Sequence, residues 1–573
     1  MDDGTNSGIS RRVKRPWANP VFCSRYLLAA GAGLAMAASF PKIGLAGLAW
    51  VAPALLVAAA SGKRGAEAFR IGYIGALTHY LAMLYWLLLI PDRWHGIPLG
   101  PALGWLALSG YLALFPAAWL WLVSGLSPWS RVQTPDTSAG GSWLNRTAWA
   151  LVGAACWVAF EMILARLLGG FPWDLLGVSQ YSLVPLIQVA SVTGVYGVSF
   201  LIVWVSLSLF SAGMMVLRRP APRSGWVAEV FLPVLVGAVL FNLGFRAIQR
   251  APQPERTLKV TLIQPSIPQT LIWDPTQDEA RFSDLLRLTE LALTNATDLL
   301  IWPESAVPKP IRYDAEMRAA VTNLARAHHV WMIVGSDDIE PQRGATDPAD
   351  SVYFNSSFLI SPYGELAERY LKRNLVIFGE YLPARRWLPF LKYLTPIEGE
   401  FTPGTMAVPY ELRSLGARTS VLICFEDIFP QLARSDVTPD TDFLVNITND
   451  GWFGDSAAQW QQAASSFFRA VENRLPLVRC ANNGLTCWVD AYGRMREVFR
   501  DARGTVYGPG FMTAVIPLTA SGQKHELTFY GQHGDWFGWS CVAIAASALA
   551  WRVRCCRPNR RGDARSRPES GRE

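Results

Sequence analysis

Three stretches of the sequence place a carboxylate, an amine and a thiol where each can take part in chemistry. The apolar residues 299–302 lead to Glu304, Lys372 stands just ahead of a second apolar run, and residues 421–423 lead directly to Cys424. An apolar run that stops at a reactive residue is typical of a buried strand that ends at the carboxyl edge of an α/β sheet, where such folds place their reactive groups. The pattern therefore predicts a nucleophilic site made of Glu304, Lys372 and Cys424.

The chemistry of these three groups is that of an activated thiol. A thiol is a weak nucleophile until it is deprotonated, and Glu304 is placed to take the proton. Lys372 can lower the pKa of the thiol and stabilise the oxyanion of a tetrahedral intermediate, together with a backbone N–H that follows Cys424. Taken alone, Cys424 also fits the role of a small apolar core residue, so the prediction depends on all three stretches together.

Strands and helices alternate through the polar half of the chain. Helical spacing predicts helices at 278–295, 315–328 and 457–472. Interleaved strands and helices favour an α/β domain. Apolar runs between turn signals predict strands at 258–264, 299–302, 330–335, 353–360, 365–371, 420–424, 443–446, 477–481 and 487–490.

The N-terminal part of the chain is much more apolar than the rest. Hydrophobic residues make up 51% of the 573 residues and charged residues only 17%, and many of the 24 tryptophans lie near the ends of apolar runs, as in the aromatic belts of membrane proteins. Eight runs are near the length of about 20 residues that a membrane-spanning helix needs. The predicted spans are 24–40, 44–60, 68–90, 99–125, 147–168, 185–217, 226–246 and 533–552.

Basic residues are concentrated in alternate connections between these spans. Lys and Arg cluster in the N-terminal segment, in the loops 61–67, 126–146 and 217–225, and in the C-terminal tail, and alternation of the spans puts all of these on one side. By the positive-inside rule that side is the cytoplasm. The sequence thus predicts a basic N-terminus, seven spans, an exported catalytic domain, a last span and a basic cytoplasmic tail, with bounds 1–23, 24–248, 249–530, 531–553 and 554–573.

Charge and cysteine usage bear on partners and cofactors. The net charge of +7 is carried by termini and short loops, a distribution that argues for membrane topology and against nucleic-acid binding. The eight cysteines show no metal-ligand spacing, so no metal and no cofactor is predicted. Cys480 and Cys487 flank a hairpin-turn signal, which leaves a disulfide open. His79 and Glu161 are ionisable groups at membrane depth, where a functional role and a simple interface position are both open.

At these positions the sequence resembles a known family. The motifs at 302–304 (WPE), 370–380 (YLKRNLVIFGE) and 423–427 (ICFED) resemble the Glu-Lys-Cys triad of the nitrilase superfamily. With its hydrophobic N-terminal half, the chain resembles one branch of that superfamily, the apolipoprotein N-acyltransferases of bacteria, over nearly its whole length. Further motifs that carry the resemblance lie at 264–269, 273–275, 446–454, 469–473 and Arg479.

The resemblance implies a four-layer αββα domain attached to a polytopic membrane domain of about eight helices. It implies that a fatty acyl chain leaves a membrane phospholipid, forms a thioester on Cys424 and passes to the α-amino group of the diacylglyceryl-modified N-terminal cysteine of an apolipoprotein. Glu304 then acts first as base and later as acid, and Lys372 stabilises the oxyanion. The implied location is the bacterial inner membrane, with the catalytic domain on the periplasmic side and both termini in the cytoplasm.

The resemblance also implies supporting or substrate-binding residues around the triad. Glu380 supports it electrostatically, Phe425 and Glu426 follow the nucleophile, and Trp273 lies in a loop that is thought to cover the site. For Trp273 a membrane-interface anchor is the alternative. Gln462 stands where a histidine is common in the family, which weakens any role for that side chain.

Two other functions fit parts of the sequence. A membrane-tethered amidase or nitrilase would use the same triad with water as the acceptor, but eight spans are more than a tether needs. A transporter or an assembly scaffold with an inactive exported domain would have no need of Glu304, Lys372 and Cys424 together.

Overall fold

The computed structural model describes residues 20–91, 99–130, 141–218, 225–272, 274–341, 351–382 and 400–555. Trp273 lies outside the described residues, as do most of the predicted cytoplasmic N-terminus and the basic tail from residue 556 onward.

The described chain before residue 250 is helical, and one further long helix follows the strands. Ser142 shows why one of these helices begins where it does, because its hydroxyl caps the backbone N–H of Asn145 at 3.3 Å. The helices are α1 Pro20–Ala38, α2 Ala52–Ala59, α3 Gly65–Met83, α4 Gly100–Leu112, α5 Leu114–Leu126, α6 Trp143–Leu164, α7 Val184–Ile187, α8 Ala190–Thr193, α9 Val195–Arg218, α10 Gly225–Gln249 and, after the strands, α17 Trp536–Cys555.

Helical segments lie at all eight predicted spans, but they differ in length. Within the described residues, five stretches are long and apolar enough to cross a membrane: Gly100–Leu126, Trp143–Leu164, Val195–Leu217, Gly225–Gln249 and Trp536–Arg554. The first and third predicted spans correspond to α1 and α3, of 19 residues each, whereas the second is a 3-10 turn followed by the eight-residue α2. The number of segments that cross the bilayer completely stays a prediction.

Small residues let the first helices of the membrane domain pack closely. A Cβ atom at Gly33 of α1 would lie 2.0 Å from the carbonyl oxygen of Gly75 of α3, so glycine is required at this crossing. By contrast, only 17% of the most apolar stretch of α10, and likewise of α17, is buried inside the protein. These two helices therefore present most of their surface to lipid.

Within the described residues, the α/β domain that follows residue 250 contains twelve strands and six α-helices. The strands are β1 Arg256–Gln264, β2 Leu299–Ile301, β3 Trp331–Pro341, β4 Ser351–Ile360, β5 Leu366–Leu371, β6 Pro409–Leu412, β7 Ala417–Ile423, β8 Phe443–Thr448, β9 Leu477–Ala481, β10 Cys487–Val489, β11 Met495–Val498 and β12 Gly510–Leu518. The helices are α11 Gln269–Ile272, α12 Asp278–Ala292, α13 Ala315–His328, α14 Pro430–Ser435, α15 Ala458–Asn473 and α16 Phe529–His533.

The strands form two six-stranded sheets, in the orders β12-β1-β2-β3-β4-β5 and β11-β10-β9-β8-β7-β6. In each sheet three central strands are parallel, namely β1, β2 and β3 in the first and β7, β8 and β9 in the second. The outer strands pair with them antiparallel. The carboxyl ends of the parallel strands in each sheet therefore point to one edge, as the sequence pattern requires.

Each sheet is covered on both faces, which gives four layers. Val260 and Ile301 of the first sheet pack against Val421 and Val445 of the second in the central core. The outer face of the first sheet carries α12 and α13, and the outer face of the second carries α15. Because both faces are covered, β8 and β9 are buried at every residue. The predicted αββα arrangement is confirmed.

Three strands were not predicted from the sequence, and all three lie at sheet edges: β6, β11 and β12. Each of them has exposed residues, and β11 has no fully buried residue. An edge strand needs no continuous apolar run, so its sequence signal is weak.

Candidate active site

Glu304 lies in the turn that follows β2, at the carboxyl edge of the first sheet. The segment ahead of it is tied to β3, because the backbone N–H of Trp302 donates to the carbonyl oxygen of Ile333 at 2.8 Å. A Cβ atom at Gly335 of β3 would lie 2.2 Å from the carbonyl oxygen of Pro303. Glycine at this position therefore lets the turn lie directly on β3, and the turn directs Glu304 into the domain.

Lys372 follows β5 and is almost fully buried, with 1% of the residue exposed. Its backbone N–H donates to the carbonyl oxygen of Asn355 on β4 at 2.9 Å. Its Nζ donates to Glu304 Oε1 at 3.1 Å and to Glu380 Oε1 at 2.8 Å. The structure thus places one buried ammonium group between two of the predicted carboxylates.

Asn355 completes this centre. Its Nδ2 donates to Glu304 Oε1 at 2.7 Å and to Glu380 Oε1 at 2.8 Å, so it bridges the same two carboxylates as Lys372. These four residues form the lysine cluster. The sequence motifs did not include Asn355. The feature that could have indicated it is a polar amide in the middle of a buried strand, where a polar group needs a hydrogen-bond partner.

Glu380 reaches the lysine cluster from a tight turn. Its Oε2 accepts from the backbone N–H of Val376 at 2.8 Å, and its own backbone N–H donates to the carbonyl oxygen of Val376 at 2.8 Å. Phe378 within this turn has φ +62°, a left-handed conformation that a bulky residue rarely adopts and that costs about 1–3 kcal/mol. The strained turn brings Glu380 back onto Lys372.

Cys424 begins the 3-10 helix Cys424–Ile428 directly after β7, with φ +53°. Its carbonyl oxygen accepts from Nδ2 of Asn446 at 2.9 Å, which fixes the turn against β8. The side chain is only partly buried, and the charges of Glu304 and Lys372 act on its thiol. The structure therefore brings the three predicted residues into one centre between the carboxyl edges of the two sheets.

Glu426 connects the 3-10 helix Cys424–Ile428, here called the cysteine turn, to the residues that directly follow Lys372. Its Oε2 accepts from the backbone N–H of Ile423 at 2.8 Å, and its Oε1 accepts from those of Arg373 at 2.8 Å and Asn374 at 3.0 Å. The hydroxyl of Tyr370 also donates to it. Burial raises the pKa of this carboxyl to about 7, although the backbone donors act in the other direction. Glu426 is fully buried, so it supports the site from behind.

Phe425 points away from the sandwich. Its ring meets that of Phe429 edge-on at 5.1 Å, and both rings pack against the apolar core of the membrane domain. Of the predicted site residues, Trp273 lies outside the described residues, and its position in the site stays a prediction.

The electrostatics of the centre assign different protonation states to its members. Burial opposes the charge on Lys372, but the charges of Glu304 and Glu380 outweigh it and hold the pKa of the ammonium well above its usual range. Lys372 is therefore a cation at neutral pH and has no lone pair with which to act as a base. The base must be a carboxylate.

The thiol of Cys424 is held in its protonated form. Burial raises its pKa above that of an ordinary cysteine, the charge of Glu304 raises it further, and Lys372 acts in the opposite direction. The predicted effect of Lys372 on the thiol thus has the right sign but does not dominate. A thiol in this state needs a general base at the moment of attack.

A further acid lies beside the lysine cluster. Asp337 of β3 accepts from the hydroxyl of Ser305 at 3.3 Å. Burial, followed by the charge of Glu304, raises the pKa of this carboxyl to about 7. The centre therefore contains more carboxyl groups than one lysine can neutralise, and one of them titrates near neutral pH.

A second buried ion cluster stands behind the cysteine turn. Arg479 of β9 donates through Nη1 to Asp427 Oδ2 at 2.6 Å and through Nη2 to both carboxylate oxygens of Asp450, at 3.0 and 2.9 Å. All three residues are at most 1% exposed. They form the arginine cluster, which anchors the 3-10 helix that begins at Cys424. The sequence motifs contained all three residues without indicating that they pair.

Cys480 and Cys487 are free and buried. Cys487 pairs across the hairpin with Arg479, the neighbour of Cys480, so the two thiols point to opposite faces of the sheet. Cys480 lies in the core between the sheets and Cys487 in the core under α15. The disulfide that the sequence left open is therefore absent.

His79 and Glu161 both line a small cavity of about 30 Å³ in the membrane domain. Glu161 Oε1 accepts from Nε1 of Trp157 at 2.9 Å and from the backbone N–H of Leu176 at 2.8 Å. These bonds connect α6 to the loop behind it. The geometry gives Glu161 a structural part in the membrane domain and does not bring either residue into the lysine cluster.

Taken together, the geometry is suited to acyl transfer through a covalent intermediate. A protonated thiol, a carboxylate able to take its proton and a fixed cation able to stabilise an oxyanion are gathered at one point. Phe425, next to the thiol, packs on the membrane domain, so an apolar acyl chain has an apolar surface to follow.

Two family descriptions match the chain, one for each domain. The apolipoprotein N-acyltransferase N-terminal domain matches residues 32–208, and the carbon-nitrogen hydrolase domain matches residues 259–508. The boundary between them coincides with the change from helices to strands in the structure.

Curated relatives are similar over almost the whole chain. The apolipoprotein N-acyltransferase of Geobacter metallireducens is 37% identical over 547 residues, which cover 95% of this chain and 98% of the relative. That of Vibrio cholerae is 30% identical over 565 residues, which cover 96% of this chain and 100% of the relative.

Among solved structures, the chain is similar to an amidase of the nitrilase superfamily from Nesterenkonia, with a TM-score of 0.34 and 16% identity over 47% of this chain and 93% of that one. A carbon-nitrogen hydrolase from Helicobacter pylori gives a TM-score of 0.33 and 17% identity over 46% of this chain and 89% of that one.

Proposed function

The chain belongs to the apolipoprotein N-acyltransferase family, and we propose that it transfers an acyl chain to its acceptor through a thioester on Cys424. It is an acyltransferase of bacterial membranes that N-acylates lipoproteins, so its substrates are a lipid and a lipoprotein. In the proposal the donor is a membrane phospholipid. The acceptor is the α-amino group of a diacylglyceryl-modified N-terminal cysteine.

In the first half-reaction Glu304 takes the proton of the Cys424 thiol while the sulfur attacks the ester carbonyl of the phospholipid. The C–S bond forms, the oxyanion is stabilised by Lys372, and the ester C–O bond breaks. The departing alkoxide takes the proton from Glu304 and leaves as a lysophospholipid. The acyl chain stays on the sulfur as a thioester.

In the second half-reaction the acceptor amine attacks the thioester carbonyl. The C–N bond forms, the C–S bond breaks, and Glu304 passes the proton of the amine to the departing thiolate of Cys424. The product is an amide, and the enzyme returns to its starting state. The two half-reactions share one site, so ping-pong kinetics are expected.

The observation that carries this proposal is the position of Lys372 between Glu304 and Glu380 beside the thiol. The raised pKa of Lys372 keeps it cationic, which supports a role in stabilising the oxyanion and leaves the role of base to Glu304. Glu380 and Asn355 hold the ammonium and the base in position.

We further propose that residues 249–530 lie on the periplasmic side of the inner membrane and that both termini are cytoplasmic. The support is the distribution of Lys and Arg, which alternates with the spans. Reporter fusions at Gly344 and at Ser570 should report opposite sides of the membrane. Fusions that report the same side would refute this orientation.

The thioester is tested with purified full-length protein and an acyl-labelled phospholipid, in the absence of acceptor. The protein should retain label that neutral hydroxylamine removes, and a diacylglyceryl-cysteine peptide should discharge the label onto its amine. Cys424→Ala should acquire no label, and Glu304→Gln should acquire it slowly, because the thiol loses its base.

The matched controls are Cys480→Ala and Cys487→Ala, which remove the two other free thiols described in the α/β domain, both fully buried, and should label normally. Normal labelling of Cys424→Ala would show that another residue is the nucleophile. Loss of the label to water at the same rate with and without the peptide would favour the hydrolase alternative.

A further inference from the structure

Gln461 of α15 joins the exported domain to the membrane domain. Its Oε1 accepts from Nε1 of Trp86 at 3.0 Å and of Trp173 at 2.9 Å, and its Nε2 donates to the carbonyl oxygens of Pro41 at 3.1 Å and Met83 at 3.5 Å. Only 3% of the residue is exposed. Indole groups only donate and carbonyl groups only accept, so the partners determine which way the amide faces.

The partners of Gln461 come from three separate segments of the membrane domain. Pro41 follows α1, Met83 ends α3 with Trp86 just beyond it, and Trp173 lies in the loop after α6. An apolar side chain in place of Gln461 would leave two buried indole N–H groups without partners, which is unfavourable away from water. A single amide thus fixes the position of α15 on three elements at once.

The other side of α15 holds the cysteine turn. Gln462 Nε2 donates to Asp427 Oδ1 at 3.1 Å, Ser466 Oγ donates to Asp427 Oδ2 at 2.6 Å, and Arg469 Nη1 donates to the carbonyl oxygen of Ile428 at 3.0 Å. Asp427 is the fourth residue of the 3-10 helix that begins at Cys424. The membrane contact and the contact to the turn are therefore made by adjacent residues of one helix.

This arrangement links the position of the thiol to that of the membrane domain. The backbone at Cys424 has φ +53°, a conformation that persists only where its surroundings hold it. The ester carbonyl of a phospholipid lies at a depth that the bilayer sets. A nucleophile misplaced by about 1 Å loses about 10²-fold in rate.

We propose that Gln461 is a positioning residue that holds α15, and with it the turn of Cys424, at the depth at which a bilayer phospholipid presents its ester carbonyl. Gln461 acts through α15 and does not touch the reacting atoms. The proposal rests on Cys424 being the nucleophile, as proposed above. It assigns to Gln461 the role of keeping the turn of Cys424 in a fixed position relative to the membrane domain.

The test compares two acyl donors on the full-length protein in lipid vesicles. Gln461→Met keeps the length of the side chain but removes its hydrogen bonds to Trp86, Trp173 and the two carbonyl groups. Acylation of Cys424 by a labelled phospholipid should fall about 10- to 100-fold, whereas release of nitrophenolate from water-soluble p-nitrophenyl acetate should stay within about twofold. A small soluble ester reaches the thiol from water and does not depend on its depth.

Gln188→Met is the matched control. Gln188 is also a buried glutamine between the two domains. Its Nε2 donates to the carbonyl oxygen of Tyr492 at 2.8 Å, and its Oε1 accepts from Arg474 at 2.6 Å. Arg474 caps the carboxyl end of α15, whereas Gln461 lies in the first turn of that helix, and neither bond of Gln188 reaches the cysteine turn. Both rates of Gln188→Met should stay within about twofold of the native protein, because the nucleophile stays in place.

The proposal is overturned if Gln461→Met acylates from phospholipid at the native rate, if it loses both rates in parallel, or if Gln188→Met shows the same selective loss. Should Gln461→Met fail to insert, Trp86→Phe removes one of the two indole donors and should show the same selective loss, smaller in size. If Trp86→Phe has the native rate with both the phospholipid and the soluble ester, the proposal is overturned as well. Failure of the proposed function gives a different result, because Cys424→Ala would then still accept label.

Discussion

The lysine cluster and the arginine cluster follow the same plan and differ in what they allow. Each buries one cation between two carboxylates within the α/β domain. In the first, the cation lies near the thiol of Cys424, which is only partly buried. In the second, the cation and both of its carboxylates are at most 1% exposed, and Ser466 and Asn446 add further hydrogen bonds to them.

The choice of cation matches this difference. Lysine carries a compact charge on a flexible stem and can turn one of its three N–H groups to a new anion, whereas the planar fork of arginine fixes several oxygens at once. A buried cation that must meet a transient oxyanion is best a lysine, and one that must hold a strained turn is best an arginine. Under the proposed mechanism, similar buried charge serves reaction in one place and rigidity in the other.

Exchanging the lysine should separate the two clusters most strongly. Lys372→Ala should lower the rate of Cys424 acylation about 10²–10³-fold, because one oxyanion donor is lost. Lys372→Arg should restore little of it, since a guanidinium group does not fit the place of an ammonium between Glu304 and Glu380. The measurement is the rate of label uptake from phospholipid, with membrane insertion checked in parallel. Near-native uptake by either variant would remove Lys372 from the mechanism.

Removing the arginine should act on stability instead. Arg479→Met leaves Asp427 and Asp450 buried without their cation, which should lower the free energy of unfolding by about 3–5 kcal/mol. The shift is measured as a loss of thermal stability of the α/β domain, followed by tryptophan fluorescence. Molecules that remain folded should still acquire label, because the lysine cluster is intact, but more slowly, because the turn of Cys424 has lost one of its anchors.

The control for this loss is an exposed ion pair. Arg287 donates to Asp284 at 3.4 Å, and both side chains are at least 75% exposed. Arg287→Met should change the free energy of unfolding by less than about 1 kcal/mol. If both variants lose the same free energy of unfolding, burial of the arginine cluster does not account for its contribution to stability.

The smallest expected effect is a pH dependence that belongs to the lysine cluster. Asp337 has its pKa raised from the ordinary 3.8 to about 7 in the folded protein. Between these values the folded state binds more protons than the unfolded state, so this carboxyl stabilises the protein fully below pH 3.8 and loses that contribution as the pH rises through 7. The slope is at most about 1.4 kcal/mol per pH unit.

Asp337→Asn should remove this slope. Relative to the variant, the native protein should lose thermal stability between pH 5 and pH 8, and the difference should level off above pH 8, where Asp337 is charged. The same series on Arg479→Met should keep the slope, because Asp337 is unchanged there. A difference between native protein and Asp337→Asn that stays constant with pH would contradict the raised pKa.

The sequence by itself determined the central strands, the long helices and the candidate site residues that the structure brings together. The strands at 299–302 and 477–481 and the helix at 315–328 lie where their local patterns predict them, because a run of apolar residues specifies burial without reference to the rest of the chain. The three motifs likewise gave Glu304, Lys372 and Cys424 as candidates, since each follows closely after its own strand.

Only the tertiary structure decided how the groups pair. Asn355 joins two carboxylates that lie 51 and 25 residues away, and Gln461 meets Trp86 across 375 residues. A side chain that is polar in the sequence becomes a bridge only when folding brings its partners within hydrogen-bond distance. Burial then decides whether the group is charged, as in Asp337 and Cys424, because the cost of a charge depends on the solvent and the charges around it, which local sequence does not specify.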